Sequence, residues 1–291
     1  MGWDSWIRDG REIEPSLYAA DFARLGEQIE SLLEGGCRVF HFDVGDGHFV
    51  PPVTIGPVVL RSIAPLIHAA GGVIDCHLMV SDPAHHVREF AESGADSVTF
   101  HVEVTADPAG VAAAARGEGL AVGVAFNPGT EPSAAAAFAV AAEAEMVLCM
   151  SIVPGYSGQP FMPDAYGRIE ELAALVDVPI QVDGGVGEAN APAVRAAGAC
   201  LLVAGNAVFA DPDPAAAYAR IRAAAARAWS ARSSSPRPPK EWPIPTRPWA
   251  RCSSRTGRPS QRASRSPTAA ATARSWPSMR PASTRAERRS T

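Results

Sequence analysis

From residue 12 to about 229 the chain repeats one unit: a short apolar run, a polar or glycine-containing break, then an alanine-rich stretch. The apolar runs are Ile13–Tyr18, Val39–Val44, Val73–Met79, Ser97–His101, Ala121–Phe126, Met146–Met150, Ile180–Asp183 and Leu201–Ala204. Each has the length of a buried strand. Between them lie helix-like segments such as Asp21–Glu34, Pro83–Ser93, Pro163–Val176, Asn190–Ala197 and Pro214–Trp229. Several begin with an acidic residue, Asn or Pro, and Gly94 and Gly198 follow two of them, as helix starts and stops require. Eight strands alternating with helices over about 220 residues predict an α/β fold, a (β/α)8 TIM barrel. The rival is a doubly wound open sheet, but no G-x-G-x-x-G follows the first run.

Polar residues gather at one end of these runs. Ser16 comes late in the first, His41 and Asp43 end the second, His77 and Met79 the third, and His101 the fourth. Asn127, Met150-Ser151, Asp183 and Gly205-Asn206 end or follow the other four. All are C-terminal ends, the face on which such barrels carry their sites, whereas a chance scatter would populate both ends. In an extended strand His41 and Asp43 point the same way. An imidazole and a carboxylate so placed suit a divalent metal, with Asp43 free to move a proton, or else form a buried packing pair.

The turns Asp183-Gly184-Gly185 and Ala204-Gly205-Asn206 follow strands seven and eight, where barrels commonly bind phosphate on uncovered backbone N–H groups. The glycine-hinged stretch Pro154–Phe161 is long enough to fold over a ligand as a lid.

Composition narrows the class. No apolar run approaches the roughly 20 residues of a membrane span. The start, Met1-Gly2-Trp3-Asp4-Ser5-Trp6, lacks a signal pattern, and Trp6 breaks a myristoylation motif. Cys37, Cys76, Cys149 and Cys200 sit in or beside apolar runs without a CxxC pair. They read as core residues of a cytoplasmic protein. Residues 231–291 hold 14 of the 26 Lys+Arg and two of the 31 Asp+Glu, leaving −17 on residues 1–230 and +12 on the tail. The acidic body speaks against nucleic-acid binding by the barrel. An anionic substrate must then be met locally, by backbone amides or a metal.

Residues 13 to about 225 resemble ribulose-phosphate 3-epimerases. The resemblance is carried by Pro15-Ser16-Leu17 with Ala20-Asp21-Phe22, by His41-Phe42-Asp43 through Asp46-Gly47-His48-Phe49-Val50-Pro51, and by Thr54-Ile55-Gly56-Pro57. It continues through Cys76-His77-Leu78-Met79, Pro154-Gly155-Tyr156-Ser157-Gly158-Gln159, Val182-Asp183-Gly184-Gly185 and Val203-Ala204-Gly205. It implies a barrel of the ribulose-phosphate-binding type. His41, Asp43, His77 and Asp183 would hold one divalent metal ion (Zn, Fe, Mn or Co), and Asp43 and Asp183 would be the catalytic acid/base pair. The substrate would be a phosphorylated ketose, D-ribulose 5-phosphate converted to D-xylulose 5-phosphate through a 2,3-enediolate. Epimerisation at C3 needs one carboxylate on each face of the carbon, with Lewis-acid help for the adjoining oxygens. Ser16, His77, Met79 and Met150 would contact substrate. Gly155, Tyr156, Ser157, Gly158, Gly184, Gly185, Gly205 and Asn206 would cradle the phosphate. A homo-oligomer is expected. The alternatives are another ketose phosphate, such as D-allulose 6-phosphate, or a barrel that binds sugar phosphates without turnover.

The chain departs from the family pattern at Gly45, where Met is usual, at Asn206 for Ser, at Ser157 for Gly, and at Val153 for a polar residue. Gly45 also occupies the position where related sugar-phosphate decarboxylases place a Lys. His48, His68, His85 and His86 read as solvated, His101 as support behind the site, and Glu103 as surface.

The sequence therefore divides into a barrel, residues 1–230, and a basic Arg/Ser/Pro-rich tail, residues 231–291. The tail has no Leu, Val, Phe or Tyr, too little apolar surface to fold, so it reads as disordered. A nucleic-acid arm, an inert extension and an out-of-frame GC-rich product compete, and the absence of any periodic motif favours the last two. Truncation after Trp229 is expected to leave stability and turnover unchanged. A large fall in melting temperature would show that the tail is part of the fold.

Overall fold

The computed structural model describes residues 12–232, with side chains to residue 227. The basic tail beyond Arg232 lies outside the described residues. Within them the chain runs β1 (Ile13–Pro15), α1 (Leu25–Glu34), β2 (Val39–Gly45), α2 (Pro57–Ala69), β3 (Val73–Met79), α3 (Pro83–Glu92), β4 (Ser97–His101) and α4 (Pro108–Gly117). It continues β5 (Ala121–Phe126), α5 (Pro132–Ala141), β6 (Met146–Met150), α6 (Ala165–Leu175), β7 (Ile180–Asp183), α7 (Ala191–Ala197), β8 (Leu201–Ala204), α8 (Asn206–Phe209) and α9 (Pro214–Arg232). Neighbouring strands are parallel in the order β1-β8-β7-β6-β5-β4-β3-β2. A single parallel bridge, Ser16 to His41, closes β1 onto β2 and completes the TIM barrel.

Six of the eight apolar runs are the strands residue for residue, and two differ. β1 stops at Pro15, because from Leu17 to Ala19 the chain turns into a short 3-10 helix. β2 runs one residue further, since Gly45 still pairs with Met79. Helix starts follow local chemistry. Proline opens α2, α3, α4, α5 and α9, where its missing N–H costs nothing. Asp82, Asp107 and Asp213 accept the N–H groups of His85, Gly110 and Ala216, capping α3, α4 and α9.

Strand alternation sorts the side chains into two environments. Outward strand residues, among them Phe40, Phe42 and Phe100, join helix residues such as Phe90 in one large core between sheet and helices. Truncating one such phenylalanine costs about 3–5 kcal/mol. Inward, the floor of the barrel is the apolar cluster Val39, Val73, Ala121, Met146 and Leu201. Above it the interior is divided: Ala125, Leu148, Met150 and Ile152 make one apolar wall. Opposite stand the fully buried Glu14, His41, Asp75, Ser97, Thr99 and Gln181. Buried polar groups are tolerated only when paired, so this half of the interior is committed to a site. Register sets the heights: Asp43 lies opposite His77 and Met150 opposite Asp183. No described helix is long and apolar enough to cross a membrane.

Gly123 faces Thr99 across the β4–β5 pair. A Cβ there would lie 2.2 Å from Thr99 Oγ1 and 3.1 Å from Met146 Cε. Gly123→Ala is expected to destabilise the barrel by about 1–3 kcal/mol, the range for overpacking, seen as a lower melting temperature. An unchanged melt would mean that Thr99 rotates away at no cost.

Candidate active site

Four side chains from three strands converge at the mouth. His41 and Asp43 come from β2, His77 from β3 and Asp183 from β7, and one ligating atom of each lies within 4.8 Å of all the others. His77 Nδ1 is 3.0 Å from Asp43 Oδ1 and 3.8 Å from Asp183 Oδ2. His41 Nε2 is 3.2 Å from the same Asp43 oxygen, yet this buried nitrogen makes no hydrogen bond. A buried polar atom that faces a carboxylate without bonding to it fits a shared cation better than a packing pair. Two imidazoles and two carboxylates are also a donor set that divalent transition metals accept. The cluster can therefore hold a metal ion.

The two carboxylates sit in opposed electrostatic settings. Burial alone would raise Asp43, but the His41 charge beside it, with the hydrogen bond and charge of His77, overrules it and holds its carboxyl well below the usual range. Asp183 is pushed up to about 6 by burial and by the neighbouring Asp43 charge, against the opposing pull of His41 and His77. Paired carboxyls driven apart in this way suit the base and acid of one proton-transfer reaction.

Beneath the ligands lies a supporting layer whose role the sequence reading missed. His41 Nδ1 is 3.1 Å from Asp75 Oδ2 and 3.7 Å from Glu14 Oε2. Asp75 accepts hydrogen bonds from Ser97 Oγ at 2.6 Å and Gln181 Nε2 at 2.8 Å. Gln181 also donates to Glu14 at 2.5 Å. Burial, with the Asp75 charge, pushes Glu14 up to about 7. Carboxylates behind a ligating imidazole fix its ring orientation. Their signal was present in the sequence, because Glu14, Asp75 and Gln181 each precede a site residue by two and so share its face.

Above the ligands opens a cavity of about 210 Å³. Asp43 and Asp183 line it, as do Ser16, Met79 and Met150, while His41 and His77 lie behind. Ser16 Oγ donates to Asp43 Oδ2 at 2.5 Å, so its hydroxyl orients the carboxylate. Gly155, Tyr156, Ser157 and Gly158 form one rim, and Gly184, Gly185, Gly205 and Asn206 another. Gly184 and Gly185 have φ of +119° and +63°. A Cβ on Gly185 would lie 2.4 Å from the Phe161 nitrogen, so only glycine lets the two backbones approach. Tyr18, not singled out in the sequence, adds a wall; its phenol is raised by burial and by Tyr156 and Asp43. Gln159 donates to the carbonyls of Val153 and Tyr156, both at 2.9 Å, tying the lid into a compact loop.

His101 is fully buried behind His77, as expected of a supporting residue. Burial lowers it to about 4. Glu103 is more than surface: it accepts from Asn127 N and Thr130 Oγ1 and meets His101 Nδ1 at 3.1 Å. These bonds overcome partial burial and hold it at about 2. His48, His68 and His85 are exposed and His86 is half-buried, outside the cluster.

This is the geometry that comparison with known proteins meets. The model of the ribulose-phosphate 3 epimerase family matches residues 12–209. The chain belongs to this family. It is similar to the ribulose-phosphate 3-epimerase of Candida glabrata, 38% identical over 216 residues, which cover 69% of this chain and 87% of that protein. It is similar also to the Escherichia coli K12 enzyme of the same name, 39% identical over 206 residues covering 69% and 90%. Among solved structures, 3-hexulose-6-phosphate synthase from Salmonella typhimurium superposes with a TM-score of 0.59 at 16% identity, over 75% of this chain and 99% of that one. At that identity the likeness is one of fold.

The departures from the family pattern take physical form here. A Cβ at Gly205 would lie 3.4 Å from Ser157 Oγ, and one at Gly158 would lie 3.4 Å from Asn206 Nδ2. The exchanged residues Ser157 and Asn206 thus lie where the two rims approach each other. At Gly45 the place of a side chain is taken: a Cβ would lie 2.7 Å from the Pro52 carbonyl oxygen and 2.9 Å from Val50 Cγ2. Thr54 clamps this loop, accepting from Gly45 N at 2.6 Å and donating to Asp43 O at 2.8 Å. The loop fills the gap, and no room is left for a larger sugar there. Gly45→Met is expected to lower the melting temperature, at a cost of about 1–3 kcal/mol, and to reduce kcat/KM on pentulose 5-phosphate and hexulose 6-phosphate alike. A selective gain on the pentulose would show instead that Gly45 sets the substrate.

Proposed function

We propose that this chain is a metal-dependent epimerase that interconverts D-ribulose 5-phosphate and D-xylulose 5-phosphate by proton transfer at C3. Membership of the family supports the reaction. The observation that carries the mechanism is the pair Asp43 and Asp183, brought from β2 and β7 to one cavity with their carboxyls pushed in opposite directions.

The C3 proton of a 2-ketose is weakly acidic, and inversion requires a base on one face and an acid on the other. Asp43 is the carboxylate, held in position by Ser16 and His77. It removes the proton from its face of C3, giving a planar enediolate. Asp183 returns a proton to the opposite face, and in the reverse direction the two exchange roles. His41, Asp43, His77 and Asp183 would hold a divalent ion of the Zn, Fe, Mn or Co class, which would supply Lewis acidity to stabilise the developing negative charge. Met79 and Met150, both nearly fully buried, give the planar intermediate apolar walls that exclude water. The phosphate is received between the Gly184-Gly185 and Gly205-Asn206 turns, beneath Ser157 and Gly158 of the lid. Cys37, Cys76 and Cys149 are free buried thiols, which suits a reducing cytoplasm.

Asp183→Asn tests the two-carboxylate scheme. The variant is expected to melt like the parent and to lose epimerisation by about 100-fold or more. In deuterated water it should still exchange the C3 proton of one epimer without forming the other. Near-normal turnover would overturn the scheme.

A further inference from the structure

We propose that Glu103 is a positioning residue for the metal site, acting through His101 to fix the tautomer and ring orientation of His77. The proposal rests on the reading of His41, Asp43, His77 and Asp183 as metal ligands.

Three groups from consecutive barrel segments stand in line. His77 turns Nδ1 toward Asp43 and Asp183 and Nε2 toward His101, whose own Nε2 is 2.8 Å away. The far nitrogen of His101, Nδ1, lies 3.1 Å from Glu103 Oε2. The second Glu103 oxygen accepts from Asn127 N at 2.8 Å and from Thr130 Oγ1 at 2.5 Å. Both are donors, so Glu103 is held as an ionised carboxylate, which only accepts.

The direction of every bond in the line follows from that end. Because Glu103 only accepts, His101 carries its proton on Nδ1, and its Nε2 is a bare lone pair. Two imidazole nitrogens 2.8 Å apart share one proton, so His77 must bring it on Nε2. That leaves Nδ1, which meets Asp43 Oδ1 at 3.0 Å, as the nitrogen that would give up its proton to bind a metal. Reversing any link places two lone pairs, or two protons, against each other in the interior.

Packing gives the line no freedom to rearrange. His77 and His101 are both fully buried and meet edge to edge, with 5.0 Å between centroids and 23° between planes. The Phe49 ring packs against His101, 4.7 Å between centroids. Asp75 performs the corresponding service for His41 from below, so each histidine of the cluster has its own carboxylate anchor. The one for His77 works at one remove, from the rim of the barrel.

The test uses the full chain, with Zn²⁺ affinity measured by competition against a chromophoric chelator and histidine tautomers read from ¹⁵N chemical shifts of the metal-free protein. Glu103→Leu is expected to weaken Zn²⁺ binding by about 10–100-fold, the usual cost of losing a partner behind a ligand, and to lose the pure Nδ1–H form of His101. Glu103→Gln is the milder variant should Leu fail to fold. Its amide oxygen can still accept from His101, but its NH₂ meets two donors, so its affinity should fall between parent and Leu. Thr130→Val should shift affinity in the same direction by less. A parent that binds no divalent ion would overturn the metal reading and this inference together. Parent-like Zn²⁺ affinity and tautomers in both Glu103 variants, with or without a lower melting temperature, would overturn the inference alone.

Discussion

The structure depends on the burial of ionisable groups in half of a barrel interior. An isolated charge there is prohibitively costly, and the chain meets the constraint by facing each such group with another. His41 is the hub: one nitrogen faces Asp75 and Glu14, the other Asp43. Asp43 is in turn held by Ser16 and His77, and His77 by His101. The opposite wall is apolar. That asymmetry gives a substrate a polar side for chemistry and an apolar side to rest on.

Much of this was legible in the sequence. The strands were, because a barrel strand buried on both faces is a continuous apolar run with sharp ends, and β3 through β8 begin and end where those runs do. The convergence of His41, Asp43, His77 and Asp183 was visible because they interrupt such runs at the same end. The layer below was missed for a related reason. Glu14, Asp75 and Gln181 sit inside the runs, where one polar residue among apolar neighbours looks like an exception; only the two-residue period reveals the shared face. Glu103 could not be read at all. Its partners Asn127 and Thr130 come from the following β/α unit, and that contact exists only once β4 and β5 pair.

Gly45 shows how a local residue reading changes when the backbone is known. In the sequence it reads only as a departure from the Met usual in the family. In the fold the Val50–Thr54 loop lies where that side chain would be, with Thr54 bonded to both Gly45 and Asp43. The same loop reaches the lid, since a Cβ on Gly155 would lie 3.3 Å from Pro52. The glycine is thus part of how the β2 loop is seated against Asp43 and the loop that carries Gly155.

The barrel's seam has a consequence of its own. Seven strand pairs are joined by ladders, but β1 and β2 meet through one bridge, between Ser16 and His41. Ser16 also bonds Asp43, and His41 belongs to the four-residue cluster at the mouth. Cylinders open at their weakest joint, and local unfolding draws on the least-bonded segment first. The molecule therefore has its least-fastened edge beside its chemistry: partial denaturation should silence the enzyme while most of its helices and strands persist.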